Sequence, residues 1–220
     1  MLHALCNRLL FHLLERPLFP AELRRGVEAR LLHVSDIPSD YYGFVYRLIE
    51  TLQPAWVVHT GDLADEIKLE LDSSRLPEYR KRVRRFLAGL ERLRRRRGSA
   101  LAGIYLVPGN HDSLPCLQEL LSGQAGVTIT AAGSLLPIGG ASFRVSHLLP
   151  EGPQEADFLL YGHNFDQPSD GSCTGIRMRC LNGVTAANLV IPATGAVYSL
   201  PYPAAINRSR KLIRHLCRGF

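Results

Sequence analysis

Short apolar runs in this chain end abruptly on residues able to bind a metal ion, which constrains its fold more than any bulk property. Leu31 to Val34 stops at Ser35-Asp36, and residues 56–58 lead into His59-Thr60-Gly61-Asp62. Residues 104–107 lead into Pro108-Gly109-Asn110-His111-Asp112. Residues 143–146 stop at His147, and Phe158 to Tyr161 at Gly162-His163. Apolar runs this short read as strands buried on both faces, the habit of parallel sheets. Between the first three lie two helical patterns. One spans 41–52 and is broken by Pro54. The other spans 78–97, where Val83, Phe86, Leu87, Leu90 and Leu93 recur at helical spacing before Gly98. Strand–helix–strand order predicts parallel pairing with right-handed crossovers. The carboxyl ends of such strands open onto one crevice. Asp36, Asp62, Asn110, His147 and His163 are therefore expected to meet there, as a mixed oxygen and nitrogen donor set suited to Mn, Fe, Zn or Mg.

In the second half of the chain the pattern changes. Segments 127–130, 135–138, 143–146, 158–161, 176–181 and 189–191 read as strands separated by Gly, Pro and Asn. Helical patterns there are confined to 114–121 and the C-terminal tail. The chain therefore reads as α/β, a mixed sheet assembly with helices outside. No linker, repeat or low-complexity tract divides it, so a single domain is expected over 1–220. Residues 1–29 read as an N-terminal helical extension, and 206–220 as a basic C-terminal tail. Leu2, Leu5, Cys6, Leu9 and Leu13 fall at helical spacing, while Asn7 and Arg8 break the run as a secretory signal. No apolar run approaches the ~20 residues that span a bilayer. A composition 46% hydrophobic and 21% charged excludes a disordered chain. The five cysteines include no CxxC pair, which argues against a disulfide framework or zinc knuckle and for a reducing, cytoplasmic setting.

The formal net charge of +6 is unevenly placed. The run from Arg80 to Arg97 sets ten basic residues against Glu91, and that from Arg208 to Arg218 holds five with no acid. The rest of the chain is acidic. Those two runs mark where an anionic partner, an acidic membrane surface or a nucleic acid, would dock. The solvated face of a helix is the plainer explanation of the first.

Four stretches in order resemble the calcineurin-like metallophosphoesterases. They are HVSDIP at 33–38, GDLAD at 61–65, GNHD at 109–112, and VSH at 145–147 followed by YGHNF at 161–165. The resemblance spans about residues 30–200. It implies a four-layer α/β/β/α sandwich, two mixed β-sheets flanked by helices, with one or two divalent ions (Mn, Fe, Zn or Mg) above the sheet edges. Asp62 would bridge two metal positions. Asn110, His147 and His163 would complete one, and Asp36 would serve the other. His111 would stabilise or protonate the departing oxygen, with Asp112 orienting it. The implied reaction is hydrolysis of a phosphate monoester, diester or pyrophosphate by a water that a bound ion acidifies.

Two departures from the family pattern stand out. Its first motif is usually Asp-x-His, but here Pro38 follows Asp36-Ile37; its last is usually Gly-His-x-His, but here Phe165 follows Gly162-His163-Asn164. Both lost imidazoles belong to the position served by Asp36. An oxygen-only remnant would stay empty or take a weakly held Mg or Mn. Asp40 and Asp166 are the nearby carboxylates that could substitute. A second functional class therefore stays open, a catalytically impaired member serving as a binding or scaffold subunit. The intact Asn110, His111 and Asp112 favour the enzyme. Of the remaining polar residues, His33 and His59 read as packing or supporting groups, and Asp65 as the cap of a following helix.

Overall fold

A computed structural model describes residue 23 and residues 28–151, 155–168, 170–172 and 178–217, with the side chains of 172 and 211–217 left aside. Of the helical extension expected over residues 1–29, residues 1–22 and 24–27 lie outside the described residues.

Eleven described strands form two mixed sheets. The first has six strands in the order β11-β10-β1-β2-β3-β4: β1 (Leu31–Val34), β2 (Trp56–His59), β3 (Gly103–Leu106), β4 (Val127–Ile129), β10 (Ala186–Ile191) and β11 (Ala196–Pro201). The second has five in the order β5-β6-β7-β9-β8: β5 (Leu135–Ile138), β6 (Ala141–Val145), β7 (Phe158–Tyr161), β8 (Asp170–Ser172) and β9 (Arg179–Asn182). The described helices are α1 (Tyr42–Leu52), α2 (Leu76–Arg97), α3 (Leu114–Leu121) and α4 (Ala204–Cys217).

Strand periodicity builds two cores from one sheet, because successive side chains point to opposite faces. Leu32, Val34, Val57, Ile104 and Leu106 face the helices, packing on Phe44, Leu48, Val83 and Phe86. Leu31, Val58 and Val190 point the other way, meeting Phe143, Val145, Phe158 and Leu160 of the second sheet. A smaller cluster of Leu159, Tyr161, Met178 and Cys180 covers that sheet's outer face. Helix α2 buries Tyr79, Val83, Phe86, Leu87, Leu90 and Leu93 and turns its arginines outward. Gly89 lets it press on α1, since a methyl there would collide with the ring of Tyr46.

Strands β1, β2 and β3 run parallel and in step, Leu31 opposite Trp56 and Trp56 opposite Gly103. Their carboxyl ends therefore share one rim. The loops extend the ladder, with Thr60 N–H donating to the Val34 carbonyl at 3.0 Å and Val107 N–H to the His59 carbonyl at 2.9 Å. Strands β6 and β7 are also parallel and deliver His147 and His163 toward the same rim.

Residues 204–217 are helical, as the tail pattern suggested, yet α4 is not simply a basic tail. Arg210 is buried, 1% exposed. Its guanidinium donates to the carbonyls of Asp36 (2.6 Å), Ser35 (2.7 Å) and Val184 (2.7 Å), and lies 4.2 Å over the ring of Tyr202.

Candidate metal centre

The rim backbone is unusual at the candidate ligands themselves. Among the described residues, the non-glycines with left-handed backbone are Asp36 (φ 54°), Gln53 (φ 49°), Asp62 (φ 53°) and His163 (φ 65°). Gln53 ends α1, where that conformation is ordinary. The other three are candidate ligands, and strain of this kind persists where surrounding structure enforces it. Glycines allow the close approach. A methyl on Gly109 would lie 2.6 Å from the Asp62 nitrogen, and one on Gly162 would lie 2.6 Å from an Asp36 oxygen.

His147 sets the geometry. Its Nδ1 donates to the Thr60 carbonyl at 2.6 Å, for a carbonyl can only accept. In the neutral ring, Nε2 then carries the lone pair that faces the crevice. Around it stand Asn110 Oδ1 at 2.9 Å, His163 Nδ1 at 3.3 Å and Asp62 Oδ1 at 3.7 Å. The Asn110 amide points this way because its Nδ2 donates to Glu70 at 2.6 Å. Four electron-rich atoms crowd together, an arrangement that a cation at their centre satisfies. The donor types, two imidazole nitrogens and two oxygens, fit a first-row divalent ion.

The second position differs. Oxygens of Asp36, Asp62 and Asp65 lie within 4.8 Å of one another. The ammonium of Lys68 already sits among them, 2.6 Å from Asp65 Oδ1 and 3.8 Å from Asp62 Oδ2. With Pro38 and Phe165 in the places of two imidazoles, this set offers carboxylate oxygens alone, and an ammonium already occupies it. Asp40 is no substitute, as its side chain is 82% exposed and pairs with Arg82. Asp166 does line the cavity, beside Phe165.

Charge in the crevice is unbalanced. Burial opposes ionisation of Asp36, yet His147, the Ser35 hydroxyl, Arg210 and the His163 N–H together hold its carboxyl below the usual range. Burial and then Asp36 push Asp62 well above that range, against the pull of Lys68. Burial likewise raises Asp65 to about 6, with Lys68 opposing. Asp62 and Asp65 thus remain short of positive charge even with Lys68 beside them.

His111 stands at the rim of the cavity, which has a volume of about 560 Å³. Its backbone N–H donates to Asp62 Oδ1 at 3.2 Å. Partial burial, then the nearby charge of Lys68, lowers its ring to about 4. The expectation that Asp112 orients this ring is corrected. Asp112 accepts from the N–H groups of Gly109 (2.8 Å) and Leu63 (3.0 Å) and from the Tyr79 hydroxyl (3.0 Å), so it ties the two loops together. The carboxylate beside His111 is Glu70, at 3.5 Å. Asp65 is corrected too. Turns rather than a helix follow it, and its carboxylate holds Lys68. His33 supports the site through Thr60, with Nε2 2.9 Å from the hydroxyl, whereas His59 packs edge-on against Phe86.

Lys68, Glu70 and Arg210 were missed from sequence. One signal was available, since Lys68 is one of three lysines in a chain with twenty-three arginines. The basic run on α2 is mostly engaged within the chain. Arg80, Arg82, Arg94, Arg95 and Arg96 pair with acids. Arg85 and Arg97 bond carbonyls.

The model of the calcineurin-like phosphoesterase family matches residues 29–184. The chain belongs to this family. Solved structures that share its fold include the following two. One is the phosphoesterase Yfce from E. coli, with TM-score 0.51 and 18% identity over 79% of this chain and 98% of that one. The other aligns with TM-score 0.57 and 10% identity over 80% of this chain and 99% of its own. No curated protein matches the chain. As a member, it is a phosphoric ester hydrolase of a divalent-metal-dependent family, built on the two-sheet sandwich that its sequence implied. Among the described residues no helix is long and apolar enough to cross a membrane.

Proposed function

We propose that the protein hydrolyses phosphate esters with one divalent ion held by Asp62, Asn110, His147 and His163. The observation that carries this reading is the inward-facing Nε2 of His147, fixed by the Thr60 carbonyl and ringed by the three other donors. A divalent ion bound there supplies a Lewis acid for the phosphate oxygens and lowers the pKa of a coordinated water. The chain's own groups do the rest. Asp62 fixes the loop bearing His111 by accepting its backbone N–H. That leaves the imidazole at the cavity rim, where it donates a hydrogen bond to the leaving oxygen. Asp112 keeps the two loops in mutual register. Manganese is the ion chosen for the assay, from the first-row divalent ions that this mixed set of oxygens and imidazoles would hold. We place the enzyme in the cytoplasm, in keeping with cysteines that form no paired motif.

The test is turnover of an aryl phosphomonoester and an aryl phosphodiester with added Mn. Asp62→Asn and His111→Ala should each lower kcat by about 100-fold or more. No turnover with any divalent ion would instead favour the scaffold reading.

For docking of an acidic membrane surface or nucleic acid, α2 offers only Lys81, Arg84 and Arg92. All three are exposed and free of hydrogen bonds and ion pairs among the described residues. On α4, Arg210 is withdrawn from that role by its burial.

A further inference from the structure

We propose that the ammonium of Lys68 is the second cation of this active site, standing where related enzymes would hold a second metal ion. The inference rests on the reading of Asp62, Asn110, His147 and His163 as the metal position.

Asp62 shows the substitution most directly. Its Oδ1 faces His147 at 3.7 Å, and its Oδ2 faces Lys68 at 3.8 Å. The carboxylate that the family resemblance makes a bridge between two ions here bridges one ion position and one ammonium. Lys68 is anchored on the far side by Asp65 at 2.6 Å. Its side chain is 16% exposed and lines the same cavity as Asn110, His111 and His163, so the charge is open to a ligand.

The lost ligands and the gained cation belong to one place. An ammonium needs no imidazole lone pairs, only carboxylate acceptors, and those are what remain once Pro38 and Phe165 replace histidines. A divalent ion on Asp36, Asp62 and Asp65 would have to share oxygens with Lys68 and bear its repulsion. Arg210 adds a second fixed positive charge behind Asp36. The three carboxylates thus meet two built-in cations. Lys68 holds its charge at any metal concentration, so the second positive group is never titrated away by chelation.

The experiment uses the full chain loaded with Mn, desalted and analysed for metal, together with the binding of inorganic phosphate by calorimetry. Wild type should retain one ion per chain. Lys68→Met should admit a second, weaker ion and bind phosphate about 10- to 100-fold more weakly with the first position filled, the loss expected for one charge-assisted bond. Lys68→Arg, which keeps the charge, should retain one ion and most of the phosphate affinity. Melting curves of both variants establish that they are folded. Two tightly held ions in wild type would overturn the proposal while leaving the hydrolase reading intact. So would wild-type phosphate affinity in a folded Lys68→Met. Absence of turnover in every variant would count against the hydrolase reading alone, because metal content and phosphate affinity decide the role of Lys68 independently.

Discussion

Replacing Arg210 with Met removes a buried guanidinium that ties α4 to the rim of the first sheet. Three hydrogen bonds of 2.6–2.7 Å are lost, together with a cation stacked 4.2 Å over Tyr202. A hydrogen bond to a charged group contributes about 1.5–3 kcal/mol, so the gross loss is about 5–9 kcal/mol. Methionine fills much of the volume, and small shifts let the carbonyls of Ser35, Asp36 and Val184 recover part of what they lose. The expected net destabilisation is about 3–5 kcal/mol. For a chain of this size that lowers Tm by roughly 10 °C. Urea and thermal melts give the total, and hydrogen exchange should show protection lost first along residues 204–217. Arg210→Lys should fall between, since an ammonium reaches fewer of the three acceptors in the right geometry. A loss below about 1 kcal/mol, or exchange unchanged along α4, would refute the claim that this residue locks the helix to the site.

Other perturbations probe the remaining links. Stripping metal with EDTA should lower Tm, because an ion present at about 1,000 times its Kd adds about 4 kcal/mol to the folded state; identical melts with and without chelator would contradict a bound ion. Gly109→Ala should lower kcat by about 100-fold, since the added methyl, 2.6 Å from the Asp62 nitrogen, must displace the loop that carries His111. Steady-state kinetics beside a melting curve separates that shift from unfolding. Reversing Arg84 and Arg92 to Glu should leave stability within about 0.5 kcal/mol, because neither is paired. It should weaken retention on anionic vesicles or DNA if α2 docks, and unchanged retention removes the helix as a docking face.

Much of this site was legible in the sequence because strand ends and ligands coincide. The bounds of β1, β5, β7 and α3 are those the apolar pattern indicates. Asp36, Asp62 and Asn110 come to one rim because β1, β2 and β3 run in step, and the parallel pair β6 and β7 brings His147 and His163 to it. Helix α2 starts at Leu76, before the expected residue 78, since Pro77 is at home in a first helical turn. Strand β8, Asp170–Ser172, has no apolar residue and exists through its pairing with β9. Strand β11 lies at a sheet edge, half exposed, so its apolar alternation is weak. Lys68 and Arg210 escaped because a motif names the acids and imidazoles of a site, whereas the cations answering them arrive from turns and helices whose approach only the tertiary fold sets.

The link from His147 to Thr60 spans 87 residues of chain and joins one sheet to the other. Donors split this way cannot meet until both sheets exist and have stacked, so an ion has nothing to grip in an early, partly ordered chain. Its affinity is then absent from the folding transition state and present in the native state. By the usual partition of stability between rates, bound metal should leave the refolding rate nearly unchanged and slow unfolding by almost the whole factor it contributes. The ion acts as a latch on a finished sandwich rather than a seed for one.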